Sequence, residues 1–262
     1  MPPLRPSPFD AVAEIYDAVR PAYPPALFDD LWAYLELPGR AEVVEVGPGT
    51  GQATGALLGR GARVTAVELG PNLARFLAAR FDGASNLRVV NAAFEDAQFA
   101  AASFDLVLAA TSFHWIDPAV RFSLPHRLLR EGGAIAIIET NQVASAVDRG
   151  FFQRSQPIYR KYFPDETAPP LPNRGMVPRL AAELERSGFF EPARLWHYPW
   201  DQTYATSAYA NLVRSYSYTQ DMPVGPREAL IADVTALIDA EFGGEVTRPL
   251  EIGLVVSRPR PL

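Results

Sequence analysis

Three glycines, Gly47, Gly49 and Gly51, lie between two acidic residues, Glu45 before them and Glu68 after. Glycines let a backbone turn left-handed and pass close to a ligand, and a helix that starts just beyond them offers free N–H groups. A dinucleotide fingerprint places its third glycine where this chain has Gln52. Here the third glycine comes one residue earlier, at Gly51. A carboxylate as near the loop as Glu45 opposes a pyrophosphate and favours an ammonium group. Glu68, 17 positions after Gly51, closes the next apolar run. A carboxylate at such a strand end can accept hydrogen bonds from both ribose hydroxyls.

Together these features point to an adenosyl cofactor that carries an ammonium, which is S-adenosylmethionine. The loop candidates are Glu45, Gly47, Pro48, Gly49, Thr50 and Gly51, joined by Glu68 and its neighbour Leu69. Ala110 and Thr111 close the fourth apolar run, and His114-Trp115 follow it. His114 is a candidate base or hydrogen-bonding partner for a substrate, and Trp115 a candidate aromatic wall near the sulfonium. Both residues can equally cap the strand end and pack the next helix. Tyr16, Arg20 and Tyr23 are candidates to fold over the cofactor or meet a carboxylate, against a plain reading as a helix end before prolines. Asn141, Trp200, Arg214, Tyr216 and Tyr218 are candidate acceptor contacts, because arginine and tyrosine suit a small acid. Glu139 either faces substrate or caps the next segment, whereas His126, His197 and Asp105 read as structural.

The elements that must position these groups alternate. Apolar runs at Glu42–Val46, Val64–Glu68, Leu87–Asn91, Phe104–Ala110 and Gly133–Glu139 read as buried strands. Gly51–Gly59, Asn72–Phe81 and Arg121–Leu129 read as the helices between them. Short apolar strands separated by helices predict an α/β fold with a mostly parallel sheet covered on both faces. Before this core, Asp10–Arg20 and Ala26–Leu35 read as helices. After it, Phe151–Phe163, Met176–Ser187, Ser207–Tyr218 and Arg227–Phe242 read as helices, with a loop at Pro164–Asn173 and strands at Phe190–Pro199 and Leu250–Arg258. This predicts one domain over 1–262, with a cofactor-binding core at 36–140 and helical insertions at 141–190 and 201–247 that form a substrate cap.

Composition sets limits on function. A net charge of −6 with no basic run argues against nucleic acid as partner. The chain has no cysteine, which excludes disulfides and thiolate metal sites, and its three histidines lack metal-ligand spacing, so no metal is expected. Lys161 is the only lysine. No apolar run approaches the ~20 residues of a membrane span, and Met1–Pro8 lacks the apolar stretch of a secretory signal. The expectation is a cytoplasmic monomer or homodimer with a small-molecule partner and no membrane contact.

These residues resemble the class I methyltransferases, and most of all their type 11 and trans-aconitate methyltransferase-like branch. The resemblance rests on Phe9-Asp10, Tyr16-Asp17, Arg20-Pro21 and Tyr23-Pro24, on Val44 to Gly51 and on Val67-Glu68. It continues through Ser103 to Val107, Phe113 to Asp117, Leu128 to Gly133 and Arg214 to Tyr218. It implies a Rossmann-like seven-stranded sheet with the last strand antiparallel, S-adenosylmethionine as cofactor, and adenine contacts at Phe94 and Glu95. Other readings are a nicotinamide-dependent oxidoreductase, which the glycine spacing and Glu45 oppose, and a non-catalytic S-adenosylmethionine-binding protein. No G-x-S-x-G elbow supports a hydrolase.

Overall fold

The computed structural model describes residue 10 and residues 13–165, 169–176 and 179–261, except the side chain of residue 179. Parts of the predicted helices at Asp10–Arg20 and Met176–Ser187, part of the loop at Pro164–Asn173, and Phe9 of the resemblance lie outside the described residues. The chain begins with α1 (Ala13–Val19), α2 (Pro25–Leu35), β1 (Glu42–Val46), α3 (Thr54–Gly59), β2 (Arg63–Glu68) and α4 (Pro71–Arg80). It continues with β3 (Leu87–Asn91), β4 (Phe104–Ala110), α5 (Ser123–Leu128), β5 (Leu129–Gln142) and α6 (Phe151–Tyr162). The last elements are α7 (Arg179–Arg186), β6 (Arg194–Ala205), α8 (Thr206–Arg214), α9 (Ser217–Gln220), α10 (Val224–Phe242) and β7 (Glu245–Ser257).

The strands form one seven-stranded sheet in the order β3-β2-β1-β4-β5-β7-β6. The pairings β1–β2, β1–β4, β2–β3 and β4–β5 are all parallel. Val43, Val44, Leu106, Val107, Leu108 and Ile135–Ile138 are fully enclosed, as expected of strands covered on both faces. Each valine, leucine and isoleucine among them contributes ~1.5–3 kcal/mol of burial. The order places the predicted mostly parallel Rossmann-like sheet on the page.

The chain divides into two compact units. One comprises Ala22–Thr140, Val177–Tyr198 and Ile252–Leu262, and holds a core that includes Val44, Val107, Phe113, Ile135, Leu184, Phe190 and Val255. The other comprises Met1–Pro21, Asn141–Met176 and Pro199–Glu251. Its core is built from α1, α6, α8 and α10, through Val19, Phe151, Tyr209, Leu212, Val234 and Ile238. The chain passes from one unit to the other within β5, β6 and β7.

Three of the boundaries that differ from expectation do so for local reasons. The helix expected from Gly51 starts only at Thr54, because Gly47, Gly49 and Gly51 all have positive φ and keep the turn non-helical. The fifth strand begins at Leu129 rather than Gly133. Phe104 pairs with Leu129 and Leu106 with Ala134, so Arg130–Gly132 bulge out with Gly132 at φ +78°. The helix expected over Ser207–Tyr218 breaks after Arg214. Ser215 Oγ donates to the Leu212 carbonyl and Thr219 Oγ1 to that of Val213, so buried hydroxyls take up the last helical acceptors.

Asp105 ties the sheet together beside that bulge. It accepts from the Glu42 amide at 2.7 Å and from the Arg130 guanidinium at 2.9 Å. Asp105→Ala is expected to cost about 2–3 kcal/mol by stranding the half-buried Glu42 N–H. A urea melt measures this, and Asp105→Asn should recover part of the loss.

Candidate functional site

Glu45, Glu68 and Thr111 stand within one residue of the ends of β1, β2 and β4, and Glu139 lies on β5 next to Ile138, the partner of Ala110. Because those strands are parallel, the four residues share one edge of the sheet. The glycine loop fills the centre of that edge. A Cβ on Gly47 would lie 2.7 Å from Ser112 Cβ, and one on Gly51 would lie 2.6 Å from the Phe81 ring. Thus both positions need glycine for space as well as for φ. Pro48 and Thr50 are buried within the loop, and Arg80 donates to the Thr50 carbonyl at 3.1 Å.

Glu45 is 1% exposed. Its Oε2 accepts from the Thr54 hydroxyl at 2.7 Å, while Oε1 is buried with no partner. Burial pushes its pKa up to about 7, against the Thr54 hydrogen bond and with help from the charge of Glu68. An acceptor enclosed without a donor beside a glycine cradle suits an incoming ammonium, and the residues present fit such a group. Glu68 accepts from the Gly49 amide at 3.0 Å and the Gly70 amide at 2.8 Å. Its carboxylate therefore shapes the loop, an interaction the sequence did not reveal.

Leu69 is partly exposed beside Glu68, and Asn91 Nδ2 fixes that turn by donating to the carbonyls of Glu68 and Leu69. Phe94 is buried in the core, and Glu95 Oε1 accepts from the Asp117 amide at 2.6 Å. Ala110 ends β4, and Thr111 follows at φ +57°, an unusual conformation for a β-branched residue. The Thr111 hydroxyl lies 3.1 Å from that of Tyr23.

His114 and Trp115 form a single 3-10 turn with their rings 5.0 Å apart. Partial burial, and then the positive charge of Arg121, lower the His114 pKa below its ordinary value, so the ring is neutral at pH 7. Trp115 is 56% exposed. Glu139 has a buried Oε2 with no partner, and burial together with Glu183 pushes its pKa up to about 7. His126 lies 2.8 Å from the Arg260 carbonyl.

The remaining candidates belong to the other unit. Arg20 lies 4.8 Å from the centre of the Tyr16 ring and 5.0 Å from that of Tyr216. Tyr216 lines a cavity of about 430 Å³ with Tyr218. Asn141 is exposed and Trp200 donates to Gln202, and neither lines that cavity. Arg214 is turned to Glu228 at 2.6 Å and to Asn211, so it corrects to an ion pair outside the cavity. Arg160 lines the cavity, as does Arg248, which sequence reasoning missed together with Gln142, Tyr159 and Tyr209. The one sequence signal of Arg248 is a charge set between Val246 and the apolar run from Leu250.

Among the described residues, no group of His, Cys, Asp or Glu could hold a metal, and no helix is long and apolar enough to cross a membrane. Residues 44–137 match a family model described as a methyltransferase domain. An uncharacterized methyltransferase of Mycobacterium bovis is 34% identical over 131 residues, which is 50% of this chain and 51% of that protein. The chain thus spans about half the length of the curated relatives it matches. Among solved structures, YcgJ of Bacillus subtilis aligns with a TM-score of 0.57 at 14% identity, covering 90% of this chain and 99% of that one. A phosphoethanolamine N-methyltransferase of Haemonchus contortus, solved with phosphomonomethylethanolamine and S-adenosylhomocysteine, aligns with a TM-score of 0.54 at 13% identity, covering 97% of this chain and 58% of that one. The parallel sheet and the glycine edge agree with that match, so residues 44–137 are similar to a methyltransferase domain.

Proposed function

We propose that this chain transfers a methyl group from S-adenosylmethionine to a small-molecule acceptor. The observation that supports this reading most is the unpartnered, buried Oε1 of Glu45 beside three positive-φ glycines. In this reading Glu45 holds the ammonium of the cofactor, and Gly47–Gly51 give its backbone room. Glu68 takes the ribose hydroxyls. Leu69 supplies apolar surface for the adenine, and Glu95 an acceptor for its amine. When bound, the cofactor supplies a methyl group already activated by its sulfonium.

The protein then has to orient the acceptor and exclude water. In this reading His114, neutral at pH 7, takes the proton from a hydroxyl acceptor, whereas a carboxylate or free amine needs no base. The helical segments at 141–190 and 201–247 select the acceptor. Calorimetry with S-adenosylhomocysteine tests the cofactor assignment. Micromolar binding is expected, lost in Gly49→Arg and in Glu68→Ala, and a wild type that binds neither product nor cofactor overturns the reading. Labelled cofactor with a panel of carboxylic acids, phenols and amines then reads turnover.

A further inference from the structure

The cavity in the unit of Asn141–Met176 and Pro199–Glu251 has a one-sided charge. Arg248 and Arg160 line it, and among the described residues no Asp or Glu does. Arg248 Nη2 donates to Gln142 Oε1 at 2.6 Å and Nη1 to the Tyr216 hydroxyl, both neutral acceptors, while its Nε is buried with no partner. No described carboxylate forms an ion pair with it. Burying a guanidinium against neutral groups alone is costly, and an anion relieves that cost. Arg20, whose guanidinium lies 5.0 Å from the Tyr216 ring centre, adds to the positive field.

Much of the rest of the lining is aromatic. Tyr216 and Tyr218 are stacked 5.2 Å apart at 19°, and Phe152, Phe163 and Pro169 supply further apolar wall. Burial raises the phenols of Tyr159 and Tyr209 well above their ordinary pKa, so both remain neutral hydrogen-bond donors. A volume of about 430 Å³ lies within the ~300–1,000 Å³ of small-molecule sites.

We propose that this cavity binds a small, flat organic carboxylate, with its charge on Arg248 and its body against the tyrosine walls. Identifying that acid as the methyl acceptor rests on the function proposed above, but its binding does not. Calorimetry without S-adenosylmethionine therefore separates the two claims. Cinnamate is expected to bind at least about tenfold more tightly than cinnamamide, since a charge-assisted pair is lost in the amide. Arg248→Gln should abolish that preference. Arg160→Gln, at an exposed position, should weaken cinnamate about two- to fivefold and keeps the test open if the buried variant does not fold. Cinnamate binding no better than its amide, a preference retained in folded Arg248→Gln, or inorganic phosphate matching cinnamate would each overturn the proposal.

Discussion

Gly47→Ala is expected to cut the affinity for S-adenosylhomocysteine at least ~100-fold and to lower the unfolding free energy by about 2–4 kcal/mol. Two costs combine. At φ +63° an alanine pays the left-handed penalty of ~1–2 kcal/mol. Its methyl group would also lie 2.7 Å from Ser112 Cβ, an atom fixed close to the backbone, so the loop or the exit of β4 has to move. Ser112 Oγ donates to the Val46 carbonyl, so that movement reaches the end of β1, where Glu45 sits. Gly132→Ala is the matched control. It has φ +78° and nothing within 4 Å of its added methyl, so it should lose ~1–2 kcal/mol with unchanged affinity. Calorimetry and urea melts on both variants decide the matter, and equal affinity losses would remove the cradle from the account.

Glu45→Gln is expected to raise stability at pH 8 by about 1–3 kcal/mol while weakening S-adenosylhomocysteine about 10- to 100-fold. Burial lifts the folded-state pKa of Glu45 from 4.5 to about 7, so folding favours the neutral acid. The stability this contributes is complete below about pH 4.5 and disappears as pH rises through about 7. Glutamine stays neutral and escapes that loss, so the two proteins should converge in stability near pH 5. Ligand binding runs the other way, because an ammonium needs the carboxylate. Wild-type affinity should fall about tenfold per pH unit below pH 7, and the variant should flatten that slope. Thermal melts and calorimetry from pH 5 to 8 measure both trends.

The cofactor half of the molecule was legible because its signals are local. Valine-rich runs of five to seven residues predict enclosed parallel strands, and β1, β3 and β4 fall on their expected residues. Glycine spacing likewise located the loop, although its three left-handed residues delay α3 in a way periodicity does not reveal. The cavity was less legible because it is assembled from distant segments. Arg214 and Arg248 differ little as letters in a sequence. Only the placement of Glu228 beside one, and of Gln142 and Tyr216 beside the other, separates a surface ion pair from a buried charge. Tyr218, a candidate because tyrosine suits a small acid, lines the cavity just beyond the break that ends α8.

The single lysine has a practical consequence for covalent chemistry. Lys161 is fully exposed on α6, next in sequence to the cavity residue Arg160, and its ammonium holds Asp233 at 2.7 Å. The hydrogen bonds to Asp233 and Tyr162 raise its pKa, so acylation there calls for more alkaline coupling than an ordinary surface amine. With no thiol to compete, an amine-directed fluorophore has one side chain to modify. The dye would sit on α6 next in sequence to Arg160, an optical reporter that needs no engineered residue.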